Sequence, residues 1–191
     1  MEHGWIYFLA FFTAIVTLLT GFGLGTVLTP VFTFFYDVKI AVLIVALIHI
    51  LNNLFKLALF KGYVDYSILK RFGLVSIFGS ILGSVLQYYF QSNLVKVLLG
   101  SVLLLLGISK FLPAGLTFRL PRRFDRAGGF LSGLLGGLVG NQGAIRSAYL
   151  LNYGLSKERF IATATIRAVA IDLTRLPVYI ISNTDLISEF K

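Results

Sequence analysis

Six apolar stretches, near residues 5–35, 39–60, 68–90, 94–112, 127–153 and 159–182, occupy most of the 191-residue chain. Each is close to or above the ~20 residues that an α-helix needs to cross a hydrocarbon core of about 30 Å. A water-soluble domain of this size has no core that would hide so much apolar surface. Hydrophobic residues make up 57% of the chain, mean hydropathy is +0.87 and only 13% of residues are charged. The chain therefore reads as an all-α polytopic membrane protein with about six transmembrane helices, a multi-pass protein of the cell membrane set in the lipid bilayer. The N-terminal MEHGWIYFLAFF lacks the basic segment and the small-residue cleavage site of a signal peptide, so the first stretch is expected to be a retained span. Cysteine is absent, which excludes disulfides and thiolate metal sites.

The first stretch is too long for one straight crossing, since about 31 residues at 1.5 Å each reach roughly 46 Å. Its middle reads GFGLGTVLTP and carries Gly21, Gly23, Gly25 and Pro30. Glycine tolerates positive φ and proline has no N–H to donate, so residues 21–30 are where the helix is expected to unwind. Backbone groups freed at such a break must face protein or a polar cavity rather than lipid. Donors at a half-helix N-terminus also favour a bound anion.

The pattern occurs twice. Residues 21–46, GFGLGTVLTPVFTFFYDVKIAVLIVA, set without gaps against residues 139–164, VGNQGAIRSAYLLNYGLSKERFIATA, share a glycine-interrupted helix, a short polar turn and a second apolar helix. Discontinuous helices in two such repeats build the substrate site of many transporters near the bilayer midplane. The expected organisation is a first transmembrane repeat of four helices over 1–112, a basic loop over 113–126, and a second, partial repeat of two helices over 127–191. The glycine-broken helices are then the first and the fifth, and an even helix number per repeat predicts parallel halves.

The motif GFGLGTVLTP resembles the glycine-rich repeat of the TauE/SafE sulfite-exporter family, whose first and fifth helices carry a run of glycines followed by a proline. The second copy, GLLGGLVGNQGAIRSAYLLNYGLSKERFIATA at 133–164, is similar, with the family's proline replaced by Ala148. The segment YVDYSILKRFGLVSIFGSILGSVL at 63–86, with Gly79 and Gly83, is similar to the family's third helix and the loop before it. The resemblance implies two four-helix repeats forming a secondary carrier, or permease, for a small anion such as sulfite or an organosulfur or organic acid. The second repeat stops after two helices, so a homo-oligomer or a partner membrane chain is the expected source of the missing surface. The alternative is a non-transporting membrane subunit or a truncated half-carrier that needs such a partner.

Charges inside spans cost at least about 2.5–3.5 kcal/mol each unless paired, hydrated or snorkelling. Lys56, Arg146, Arg167, Asp172 and Arg175 all fall there. Arg175 follows Asp172 by one turn, which predicts an ion pair on one helix face. Lys56 is expected to snorkel to the nearer membrane surface. Arg146 and Arg167 have no carboxylate at a local helical spacing and are the sharper candidates for an anion, whose geometry suits a guanidinium fork. The gapless alignment sets Arg167 opposite His49, with Asn52 and Asn53 one turn later. The candidate substrate-binding set is therefore Gly21, Gly23, Gly25, His49, Asn52, Asn53, Asn141, Gln142, Gly143, Arg146 and Arg167. The pairs Gly79 with Gly83 and Gly129 with Gly133, together with Gly137, read instead as small-residue packing stripes.

No metal-spaced His/Asp/Glu cluster, phosphate-binding loop or nucleophile with a base is present, so neither an enzyme nor a cofactor is expected. A carrier still needs a coupling ion, proton or sodium, between which the residues do not choose. With six crossings, Lys61, Lys70, Arg71, Lys110, Arg119, Arg122, Arg123, Arg126 and Lys191 gather on one side, against Lys39, Lys96, Lys157 and Arg159 on the other. The positive-inside rule then sets both termini and the 113–126 loop in the cytoplasm. The formal net charge of +9 follows from this topology and needs no nucleic-acid partner.

Overall fold

A computed structural model describes residues 4–20, 23–111 and 122–188, and in these every regular element is helical. Two helical segments, Val38–Tyr63 and Tyr66–Tyr89, are by length and hydropathy sufficient to cross a bilayer, and Ser92–Ile108 and Phe8–Thr17 are shorter apolar helices. Large apolar side chains such as Phe8, Phe34, Leu51, Phe78, Leu105 and Ile181 point outward, as lipid-facing residues do.

The first broken stretch consists of α1 (Gly4–Thr20) and α2 (Leu24–Phe32). Its break is at Gly23, whose φ of 120° is open to glycine and disfavoured for L side chains, while α2 continues through Pro30. The unwinding expected over 21–30 does not extend past Gly23, since the chain is helical from Leu24 to Phe32. Leu9 and Ala10 of α1 pack on the cluster built by Leu24, Leu28 and Phe32, so α2 folds back along α1. A short turn leads to Asp37, which accepts from the Lys39 N–H at 2.9 Å and caps α3 (Val38–Phe60). The chain returns through α4 (Tyr66–Ile68), the π-helical turn Leu69–Gly73 and α5 (Leu74–Tyr89), and crosses again in α6 (Ser92–Phe111).

The second broken stretch is α7 (Asp125–Val139) and α8 (Gly143–Leu151), separated at Gly140 with φ 77°. Here the fold-back is unmistakable. Ser132 Oγ donates to the Gln142 carbonyl at 2.8 Å, Tyr153 hydroxyl donates to Asp125, and a Cβ on Gly128 would collide with the Tyr149 ring. In a continuous helix residues 128 and 149 would stand about 30 Å apart. The chain then enters α9 (Lys157–Ser182), capped by Ser156, and ends its described part in α10 (Thr184–Ser188).

These hairpins overturn the expectation of parallel halves. A hairpin returns the chain to the side it entered from, so the first unit makes three full crossings, and the second unit starts from the opposite side. The equivalent helices α3 and α9 are accordingly antiparallel. Asp65, just past α3, donates its N–H to Thr163 Oγ1 near the start of α9; His49 and Asn53 meet Asp172 midway; Val38 and Val42 share a cluster with Leu176 and Tyr179. Antiparallel α3 and α9 are the relation that inverted units have and parallel ones lack.

The repeat register also differs by one residue from the gapless alignment. The helix caps Gly23 and Gln142, and Asp37 and Ser156, are separated by the same interval of 119 as Asn53 and Asp172. Tyr149, rather than Ala148, therefore stands opposite Pro30, and Arg167 stands opposite Ile48 rather than His49. Lys56 pairs with Arg175 across the repeat.

The strongest helix pair is α5 with α7, which run parallel and nearly touch. Added Cβ atoms on Gly79 and Gly83 would strike the backbone of Phe130 and Leu134, and on Gly129, Gly133 and Gly137 the backbone of Phe72, Ser76 and Ser80. Small residues let the backbones approach, as the stripes predicted. At one end of the bundle Asp65, Arg71, Ser156 and Arg159 line one cavity, so Lys157 and Arg159 join Lys61, Lys70 and Arg71 on a common basic end. At the other end Lys39 Nζ donates to the Tyr88 carbonyl at 3.2 Å. The sequence-derived division of charges is corrected accordingly: the described part of α9 ends opposite the basic loops.

Candidate functional site

The tips of the two hairpins meet in the middle of the protein. A Cβ on Gly25 would lie 2.6 Å from the Gly140 carbonyl oxygen, and Thr26 Oγ1 donates to Asn141 Oδ1 at 3.2 Å. Gly25, Thr26, Gly140 and Asn141 thus form the junction; Asn141 and Gln142 are buried, and Gly23 and Gly143 lie next to it along the chain. Gly21 lies outside the described residues. The apolar cluster of Val38, Val42, Leu138 and Tyr179 closes the interior toward one end, and that of Ile68, Leu150 and Ala164 toward the other.

Beside the junction lies a carboxylate network. Asp172, fully buried, accepts from Arg175 Nε at 2.9 Å and faces Arg175 Nη2 at 2.7 Å, the ion pair that the spacing predicted. It also meets His49 Nδ1 at 2.7 Å, Asn53 Nδ2 at 3.4 Å and Gln142 Nε2 at 3.5 Å. Arg175 has a second task. Its Nη1 donates to the Gly136 carbonyl, Tyr179 hydroxyl donates to Gly136 and Gly137, and Gln87 Nε2 donates to Leu138. These are carbonyls of the last turn of α7, where helical hydrogen bonding runs out, although Gly136 also accepts from the Gly140 N–H at 3.1 Å. Of the candidate residues, His49 and Asn53 therefore belong to the Asp172 network. Asn52 turns away toward α1, where Thr17 Oγ1 donates to its Oδ1 at 3.4 Å.

Three more cations are buried on the basic-end side of Asp172. Arg167 is 2% exposed; its Nε donates to Ser76 Oγ at 2.9 Å and its guanidinium lies 4.2 Å from the Phe72 ring centre. Its Nη1 and Nη2 have no hydrogen-bond partner. Arg146 donates from Nη1 to the Ala164 carbonyl at 3.3 Å and lies close enough to Arg167 and Lys56 for mutual repulsion. Lys56, also 2% exposed, does not snorkel as its place near the end of α3 predicted: it is buried on the helix that packs against α9. Among the described residues, four buried cations, Lys56, Arg146, Arg167 and Arg175, stand against two buried carboxylates, Asp172 and Asp125, and Asp125, at the start of α7, is held by Tyr153. The sequence read Lys56 as snorkelling and missed Ser76, Phe72 and the His49–Asp172 contact; the register of 119 residues, which sets Lys56 opposite Arg175 and Asn53 opposite Asp172, is the signal that would have drawn Lys56 and Asp172 into the interior.

A family profile described as sulfite exporter TauE/SafE matches residues 6–188. The chain belongs to the TauE/SafE family. No curated protein and no solved structure matches it. Membership in a family of sulfite exporters makes this a multi-pass membrane protein built for transport rather than an enzyme. The glycine-rich motifs that define the hairpin tips both lie inside the matched span.

Proposed function

We propose that this TauE/SafE protein is a secondary carrier for a small anion, sulfite or an organosulfur or organic acid, bound beside the hairpin tips by Arg146, Arg167 and Lys56. One observation carries the reading: among the described residues four cations are buried against two carboxylates, and one of these, Asp125, sits at the start of α7 bonded to Tyr153, which leaves Asp172 as the carboxylate of the central network. Each uncompensated charge in a membrane interior costs at least about 2.5–3.5 kcal/mol, and a negatively charged occupant offsets that cost directly. Arg167 supports the reading most, because four of its five N–H donors, those on Nη1 and Nη2, are buried and unengaged. The fork suits the oxygens of a sulfite or carboxylate group. Asn141, Gln142 and the start of α8 at Gly143 add donors on the facing side, where a helix N-terminus favours negative charge.

Inverted units are the arrangement in which one rocks against the other around a fixed central site. On this fold the positive-inside rule assigns the basic end to the cytoplasm, and with it the loops holding Lys61, Arg71, Arg123, Arg126, Lys157 and Arg159. The start of α1 and the end of α9 then face the opposite side, in place of the cytoplasmic termini that six simple crossings imply.

The test is saturable sulfite flux into proteoliposomes containing the full chain, beside Arg167→Gln and Arg146→Gln. Flux in the wild type that both substitutions abolish, with folding retained, supports the carrier. A folded wild type without flux overturns it and favours the subunit that requires a partner chain.

A further inference from the structure

We infer that His49 and Asp172 form a proton-binding site that ties the two inverted units together and couples a proton to the movement of the anion; this rests on the carrier reading above. His49 lies on α3 of the first unit and Asp172 on α9 of the second, and their Nδ1 and Oδ2 are 2.7 Å apart. Two acceptors do not approach so closely without a hydrogen between them, so the pair holds at least one proton. With that proton on Nδ1, the ring's remaining nitrogen, Nε2, is free to take up or release a second. The His49 side chain retains 12% exposure while Asp172 has none, so the imidazole is the accessible half of the pair.

The surroundings match a switch rather than a static pair. The groups facing it are Asn53 on its own helix, Arg175 and Tyr179 on α9, Arg146 on α8 and Gln142 at the hairpin tip. Every charged group among these apart from Asp172 is a cation, and Lys56 adds another one turn beyond Asn53. When His49 is doubly protonated, its bond to Asp172 becomes a charge-assisted tie across the unit interface. When Nε2 loses its proton, that tie weakens and the interior loses one positive charge. Asn53 and Asp172, which meet at 3.4 Å, are repeat-equivalent, so the pair lies on the axis about which the units exchange roles. Uptake of a proton raises the positive charge around the anion. Proton and anion therefore bind with positive cooperativity and travel together.

The experiment measures accumulation of methanesulfonate, which stays ionised across the working range, in proteoliposomes with and without an imposed pH gradient; sulfite is avoided because it takes up a proton near neutrality. In the wild type an inside-alkaline gradient of about one pH unit is expected to raise accumulation about tenfold, the ratio at which a one-to-one proton–anion symport balances. His49→Gln, which keeps an N–H for Asp172, is expected to retain exchange of methanesulfonate at equal pH and to lose the response to the gradient. Wild-type accumulation indifferent to the gradient, or a full response in His49→Gln, overturns the inference. If the wild type moves no anion at all, the carrier reading fails, and the proton site is judged separately. The chain has two histidines, so ring nitrogen shifts of His49 are assigned by comparison with His49→Gln. Titration of His49 between about pH 5 and 8 supports the site, and an unchanging ring overturns it.

Discussion

Replacing Asp172 by Asn keeps the shape of the side chain and removes its charge. In a membrane bundle a neutral interhelical hydrogen bond is worth on average about 0.6 kcal/mol. A buried ion pair stripped of one partner costs about 3–5 kcal/mol, because the other charge is left without compensation. Arg175 is 1% exposed and Asp172 is enclosed completely, so water cannot take over the screening. The larger figure applies, and Asp172→Asn is expected to lose about 3–5 kcal/mol. Removing both charges in Asp172→Asn with Arg175→Met should recover most of that loss, leaving about 0.5–1.5 kcal/mol for the hydrogen bond to the Gly136 carbonyl, which keeps the Gly140 N–H and the Tyr179 hydroxyl. The assay is reversible unfolding of the purified protein in mixed detergent micelles with increasing dodecyl sulfate, followed by tryptophan fluorescence and circular dichroism. A single-variant loss below about 1 kcal/mol, or a double variant no better than the single, would refute the assignment of a charge-dominated network.

A Cβ at Gly133 collides with the Ser76 carbonyl of a neighbouring backbone that cannot yield, so Gly133→Leu should lose at least about 1–3 kcal/mol in the same unfolding assay. Gly100, with nothing within 4 Å, is the control, and Gly100→Leu should stay within about 0.5 kcal/mol. The cysteine-free chain allows single-site labelling: Ser156→Cys should react with an impermeant maleimide from the cytoplasmic side, and Asn93→Cys from the other. Labelling of both from one side contradicts the inverted fold. Hydrogen bonds from Ser67, in its side chain and backbone, hold the Asp65 carboxyl below the usual carboxylate range. Its contribution to capping α4 is therefore present above that range and lost as pH falls through the lowered value. Amide exchange at Ser67 and Ile68 should quicken in Asp65→Ala at neutral pH and in the wild type only on strong acidification.

Much of the architecture was legible along the chain because a bilayer imposes it. Apolar length set the helices, the paired glycine runs marked both breaks, and the Asp172 to Arg175 interval foretold their ion pair. The small-residue stripes at Gly79, Gly83, Gly129, Gly133 and Gly137 announced a close helix contact, although not that α5 and α7 run parallel. The candidate site divided differently. Asn141, Gln142, Arg146 and Arg167 do gather in the interior, whereas Asn52 turns to α1, and His49 with Asn53 serves the carboxylate.

What the sequence by itself determined is local: which segments prefer lipid, where glycine permits the chain to turn, and which charges need company. Whether the chain straightens or doubles back at Gly23 and Gly140 was decided only by tertiary packing, through contacts such as Tyr149 on Gly128 and Ser132 on Gln142. That one choice inverts the second unit, moves Lys157 and Arg159 to the basic end, and buries Lys56 against α9. Glycine makes a fold-back affordable without requiring it, and the partners that require it lie many residues away in the chain.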